Sequence, residues 1–253
     1  LTGLQIQKLL PGTNCRECGS NTCMAFAMKL ASKKAELSEC PYASDEAIRI
    51  LGAAGEPPVR TVILGDARKL PLGGETVLCR HEKTFVNPTA IAVNIDDTLD
   101  DAALDALLVK TADYRFERVG ETFAVDMIAV TQKSDDAARF EKCALRAREI
   151  AGVPVVLRSA DASALGRAAV ALSGFRSVVC VPSAVSVDSL LEVAKEYRHA
   201  LALCAGSVDE LAALAARVRD SGFTDIILAF SANSVGEAFQ LNSIARRAAN
   251  DCA

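Results

Sequence analysis

Ala200-Leu201-Ala202-Leu203-Cys204-Ala205-Gly206-Ser207 decides the fold. Residues 200–204 form a near-continuous apolar run, and a helical pattern over residues 208–219 follows it at once. A strand without polar alternation is one covered on both faces. The same unit recurs: apolar runs stand at residues 90–95, 125–130, 153–157, 178–181 and 226–230, each followed by a helical pattern such as that of residues 187–197. Strand–helix alternation of this kind implies a parallel sheet with right-handed crossovers. Polar or small residues close several runs, as in Asn94-Ile95-Asp96-Asp97, Arg158-Ser159 and Ser231-Ala232-Asn233. The residues that follow can cap the next helix. Six units are present where a closed (β/α)8 barrel has eight, so the sheet is open or its barrel is unfinished. A final helical pattern at residues 237–250 with nothing after it, and a start at Leu1-Thr2, favour a truncated chain.

Upstream, residues 59–89 read as β-hairpins, with strands at residues 59–64 and 76–80 and Gly65, Pro71, Gly73 and Gly74 between them. Gly55-Glu56-Pro57-Pro58 reads as a linker. The expected domains are residues 1–57 and 58–253.

Four cysteines crowd the first of these. Cys15, Cys18 and Cys23 lie within nine residues, and Cys40 stands before Pro41, a C-x2-C-x4-C-x16-C pattern. Three close thiolates plus a remote one followed by proline is the pattern of a [4Fe–4S] cluster. Zinc is the alternative, but it prefers two paired C-x2-C knuckles and the second pair is missing. The spacing limits the local structure. A helix begins near Cys23, capped by Asn21 or Thr22, with Met24, Ala27, Met28 and Ala31 at helical spacing. Were it to continue to Cys40, the two sulfurs would stand about 25 Å apart. It must stop near Ser32-Lys33-Lys34, after about two and a half turns. A short helix before it, over residues 4–10, offers Leu4, Ile6, Leu9 and Leu10 as an apolar face, and a second follows Cys40 with Ser44 as its cap.

The other five cysteines, Cys79, Cys143, Cys180, Cys204 and Cys252, are scattered singly and read as small hydrophobes. The acidic run Asp96-Asp97-Thr98-Leu99-Asp100-Asp101 and Asp135-Asp136 read as helix starts. His81 and His199 are too few for a histidine metal site, and no Ser-His-Asp order stands out. A glycine-rich phosphate loop opening a helix is absent too. The formal charge of −4 argues against nucleic acid as a partner. No apolar run has the length of a membrane span. With no secretory signal, nine cysteines read as reduced thiols in a cytoplasmic protein.

Asn14-Cys15-Arg16-Glu17-Cys18-Gly19, Thr22-Cys23-Met24-Ala25-Phe26-Ala27-Met28, Leu30-Ala31-Ser32 and Cys40-Pro41-Tyr42 carry a resemblance, and so does Leu1-Thr2-Gly3-Leu4. Val62-Ile63-Leu64-Gly65, Arg80-His81-Glu82-Lys83 before Phe85, Thr89-Ala90-Ile91-Ala92-Val93 and Phe116-Glu117-Arg118-Val119-Gly120 extend it over the whole chain. The sequence resembles the large (gamma) subunit of the corrinoid iron–sulfur protein of the acetyl-CoA decarbonylase/synthase system. A subunit of membrane-bound ferredoxin:NAD oxidoreductases has a similar cysteine domain. The resemblance implies an α/β chain: a small N-terminal [4Fe–4S] domain, then a TIM-barrel-like parallel β/α domain, here incomplete at about six units. It makes Cys15, Cys18, Cys23 and Cys40 the cluster ligands. It also implies a corrinoid, whose own C-terminal domain is absent from this sequence.

The implied work is methyl transfer from methyltetrahydrofolate, or a tetrahydropterin analogue, to acetyl-CoA synthase, with the cluster returning cobalt(II) to cobalt(I). The implied partners are a small TIM-barrel subunit, a methyltransferase, acetyl-CoA synthase/CO dehydrogenase and a low-potential electron donor. A docking module with a structural metal knuckle, or an electron-transfer subunit of another redox complex, are the alternatives. An independent barrel enzyme lacks convergent acids, bases and histidines.

Overall fold

The computed structural model describes residues 2–32, 35, 37–55, 59–75, 86–182 and 186–251. Contacts separate the chain into two compact units, one through residue 60 and one from residue 61.

The first unit is helical. It holds α1 (Gly3–Leu9), α2 (Cys23–Ala31), a 3-10 turn at Leu37–Glu39 and α3 (Asp45–Gly55). Each helix starts on a hydroxyl cap. Thr2 accepts from Gln5 in a reciprocal capping box, Thr22 accepts the Ala25 N–H, and Ser44 accepts that of Ala47. At nine residues α2 has the two and a half turns that the cysteine spacing demanded, and it ends on Ser32. Gly3 lets α1 approach α2: a Cβ there would stand 2.4 Å from the Met28 sulfur. Ile6 and Leu10 are buried, whereas Leu4 is 61% exposed. Two positions along a helix turn the side chain by about 200°, so Leu4 cannot share the face of Ile6.

In the second unit the chain runs β1 (Val62–Leu64), β2 (Leu70–Leu72), β3 (Ala92–Asp96), α4 (Asp101–Asp113), β4 (Arg115–Arg118), β5 (Glu121–Ala124) and β6 (Met127–Thr131). It continues through α5 (Ala137–Ala151), β7 (Val155–Arg158), α6 (Ala162–Ala171), β8 (Val178–Val181) and α7 (Val187–Tyr197). Then come β9 (Ala200–Ala205), α8 (Val208–Asp220), β10 (Ile226–Phe230) and α9 (Val235–Asp251). The six apolar runs of the sequence are the six strands of one parallel sheet, ordered β3-β6-β7-β8-β9-β10. Each strand lies beside that of the preceding unit, as in a TIM barrel, but the sheet is not closed among the described residues. No helix among the described residues is long and apolar enough to cross a membrane.

Such an order carries the helices along one face. Leu104, Phe140, Leu165, Leu190 and Leu211 from α4 to α8 meet Ile95, Ile128, Leu157, Val179 and Leu201 of the strands in one core. The alternate strand residues face the other way, and the antiparallel β1–β2 hairpin packs there. Val62 and Leu64 meet Val178, Ala200 and Ala202. The partner of the first strand is Leu70-Pro71-Leu72, in the stretch read as a turn, and the strand expected at residues 76–80 lies outside the described residues. Proline is tolerated in a two-stranded ribbon because one edge needs no ladder bond. Gly65 turns the chain out of β1 at φ 78°, where a Cβ would lie 2.3 Å from the Arg68 carbonyl oxygen. Gly65→Ala is expected to lower the stability of this unit by about 2 kcal/mol, from the left-handed backbone and the clash together; chemical denaturation measures it.

The β4–β5 hairpin was not expected as strands. It inserts between α4 and β6, stacks Phe116 on Phe123 at 5.0 Å, and turns at Val119-Gly120 with φ 53° and 77°. Two positive φ values make the tight turn whose twist matches that of paired strands.

The acidic segments act at helix starts, as read. Asp100 accepts the Ala103 N–H, and Asp136 those of Ala138 and Arg139. Asp97 does something else. Although buried, it accepts the N–H groups of Lys133 and Ser134 at 2.7 and 3.0 Å and the Ser134 hydroxyl at 2.6 Å. It thereby ties the loop after β3 to the loop after β6. Burial alone would raise its pKa, but these three bonds outweigh burial and hold it below the usual carboxylate value. His199 is also structural. Its Nδ1 accepts the Ser177 N–H at 3.2 Å and its Nε2 donates to the Ala169 carbonyl at 2.8 Å, and burial lowers its pKa so that it stays neutral. His81 lies outside the described residues.

Candidate metal centre

The loop between α1 and α2 is built on left-handed residues. Gly12, Asn14, Arg16 and Gly19 have φ of 69°, 51°, 67° and 67°. Asparagine tolerates this region but arginine does so only under constraint. A hydrogen bond from the Gly19 N–H to the Arg16 carbonyl at 3.0 Å closes the turn between Cys15 and Cys18.

Asn14 brackets Cys23. Its side-chain oxygen accepts the Cys23 N–H at 2.8 Å, and its own N–H donates to the Cys23 sulfur at 3.4 Å. Cys23 is the first residue of α2, where the partial positive charge of the helix favours anionic sulfur. Cys40 follows the 3-10 turn at Leu37–Glu39. Its N–H donates to the Leu37 carbonyl at 3.0 Å, and its carbonyl accepts from Ala43. Tyr42 then reaches back to donate to the Glu17 carboxylate at 3.1 Å, joining the Cys40 segment to the Cys15–Cys18 loop. Its phenol pKa is raised, first by that hydrogen bond to Glu17 and in part by Cys15 close by.

Cys23 and Cys40 are buried and Cys18 half-buried in one apolar cluster with Ile6, Leu10, Phe26, Ala27, Ala47 and Leu51. Cys15 is exposed, at the rim beside Tyr42. Among the described residues no three His, Cys, Asp or Glu side chains converge on a single-ion position. One buried group lacks a partner. Ser20 is 4% exposed, and its hydroxyl has no hydrogen bond among the described residues. A buried hydroxyl with nothing to bond is costly. It lies between Cys18 and Cys23 in sequence, so a sulfur-rich group held by these cysteines is an acceptor suited to it. Thiol donors, an Asn14 N–H already bonded to the Cys23 sulfur and an orphaned hydroxyl fit an iron–sulfur cluster.

The sequence singled out the four cysteines. Asn14, Ser20 and the Tyr42–Glu17 link were not singled out there, and only a left-handed-tolerant Asn immediately before Cys15 signalled the first. Of the remaining cysteines, Cys143 is buried in α5 as a small hydrophobe, and Cys79 and Cys252 lie outside the described residues.

Residues 10–42 match a family model described as a putative Fe–S cluster. Residues 61–250 match that of the CO dehydrogenase/acetyl-CoA synthase delta subunit. The corrinoid/iron-sulfur protein large subunit of Moorella thermoacetica is 35% identical over 229 residues, covering 90% of this chain and 51% of that protein. The acetyl-CoA decarbonylase/synthase complex subunit gamma of Methanothermobacter thermautotrophicus is 30% identical over 254 residues, covering 98% and 55%. Its counterpart in Methanosarcina acetivorans is 32% identical over 232 residues, covering 89% and 49%. The chain spans about half the length of the curated relatives it matches. Through residues 61–250, most of its length, it belongs to the CO dehydrogenase/acetyl-CoA synthase delta subunit family.

Proposed function

We propose that this chain is the iron–sulfur part of a corrinoid iron–sulfur protein subunit, with residues 1–57 as an electron-transfer domain and residues 58–253 as a β/α platform. Cys15, Cys18, Cys23 and Cys40 are the proposed ligands of a [4Fe–4S] cluster. The observation that carries the reading is the packing of Cys18, Cys23 and Cys40 against one apolar core, with Ser20 buried between two of them in sequence and unbonded among the described residues. Such a cluster supplies low-potential one-electron chemistry when bound. Four thiolates leave no open position, which favours electron transfer over substrate activation.

The protein's own residues set the path and the shielding. Cys23 and Cys40 hold the buried side and exclude water, while Cys15 holds the exposed side. A redox partner therefore approaches over Cys15, Glu17 and Tyr42. The proposed duty is the reduction of cobalt(II) to cobalt(I) in the corrinoid. The assembled protein then carries methyl from methyltetrahydrofolate, or its tetrahydropterin analogue, to acetyl-CoA synthase. The proposed partners are the small TIM-barrel subunit, the methyltransferase, acetyl-CoA synthase/CO dehydrogenase and a low-potential donor, in the cytoplasm. No residue of this chain is assigned to the corrinoid.

Anaerobic purification is expected to give a brown protein with about four irons per chain and a reducible, paramagnetic cluster. Colourless protein holding one zinc overturns the reading.

A further inference from the structure

Cys180 and Cys204 sit on adjacent parallel strands. Cys180 pairs in register with Ala202, two residues before Cys204. Ala200, Ala202 and Cys180 belong to the cluster on the helix-free face, and alternation puts Cys204 there as well. Both cysteines are half-buried, and the Cys204 thiol donates to the Ala202 carbonyl at 3.8 Å. Arg158 ends β7, the next strand, two residues after Val156 of the same cluster, so alternation puts it on this face too. The pair lies toward the carboxyl ends of the strands, where β/α barrels place their sites.

We propose that Cys180 and Cys204 form a two-coordinate site for a soft monovalent cation of the copper(I) class, with Arg158 as the balancing charge. Three observations select this chemistry. Two thiolates without a third donor suit a thiophilic ion that accepts linear coordination, since no three His, Cys, Asp or Glu converge among the described residues. The two-residue offset puts the Cα atoms roughly 8 Å apart, from a strand spacing of ~4.8 Å and a rise of ~3.3 Å per residue. That exceeds the reach of a disulfide, so the dithiol does not close by oxidation. Binding replaces the thiol protons. The cation forms one bond to each sulfur, both S–H bonds break, and two protons leave to solvent with no change of oxidation state. The resulting dithiolate complex carries one negative charge, which the Arg158 guanidinium offsets.

The test titrates the full chain anaerobically with copper(I) buffered by a competing chelator, then alkylates free thiols with iodoacetamide and maps the peptides. Cys180 and Cys204 are expected to become protected together, at the same copper(I) activity. Cys180→Ser should weaken protection of Cys204 at least tenfold, and Cys204→Ala should do the same for Cys180, in chains whose melting shows them folded. Arg158→Gln should weaken both. Protection of one cysteine that survives loss of the other overturns the proposal. So does absence of protection in the native chain, or a Cys180–Cys204 disulfide formed by diamide in the folded protein.

Discussion

Cys40→Ser is expected to reduce iron in the purified protein from about four per chain to near zero and to loosen residues 2–55 together. Cys40 is buried in the same cluster as Ile6, Phe26, Ala47 and Leu51, and its backbone bonds order the turn that precedes α3. This unit is small, and small domains bury too little apolar surface to be stable without a metal or cross-link. Ligand loss thus becomes loss of structure, because metal affinity is folding free energy in such a unit. Iron analysis measures the first effect. Limited proteolysis measures the second, as new cleavage within residues 2–55 while the β/α unit stays whole. A Cys15→Ser variant is expected to lose iron with a milder effect on proteolysis, since Cys15 lies outside the apolar cluster. Equal iron in Cys40→Ser and the native chain would refute the assignment of Cys40.

Asp97→Ala is expected to cost the second unit roughly 3–4 kcal/mol, from one buried charge-assisted acceptor lost and three donors orphaned. For a unit of this size that is a fall of roughly 6–15 °C in melting temperature. Arg139 is spared directly, since its Nε donates to the main-chain carbonyl of residue 97 at 3.3 Å, which the substitution keeps, and its guanidinium reaches Leu99 and Asp101. The carboxyl pKa is depressed in the fold, so its stabilisation is complete above the unfolded value, about 4. It disappears as pH falls through the lower folded value. The native chain should therefore lose stability in acid more steeply than Asp97→Asn, and urea unfolding at pH 7 and pH 3 compares them.

The sheet was readable because its strands are covered on both faces. The runs at residues 178–181 and 226–230 coincide with β8 and β10 residue for residue. The exposed ribbons were not readable on the same terms. Arg115-Phe116-Glu117-Arg118 carries charges at three of four positions, and Pro71 in the middle of β2 argued against a strand. Spacing singled out the four cysteines, since thiolate ligation depends on intervals along the chain. Asn14 reaching Cys23, and Cys180 standing near Cys204 on one face, depend on loop hand and strand register, which no interval encodes. Asp97 was grouped with its acidic neighbours because composition cannot tell a cap from a clamp. Only the return of the loop at residues 133–134 separates the two.

The strand order bears on how the molecule comes to be folded. Every new strand of the sheet pairs with the strand of the unit before it, so a sheet of this order can grow one unit at a time as the chain leaves the ribosome. The β1–β2 hairpin breaks that rule. It is synthesised before any of the six strands, yet Val62 and Leu64 find their cover on β8 and β9. Its apolar side must wait until most of the sheet exists, which makes its docking a late step and a natural checkpoint for completed assembly of the unit.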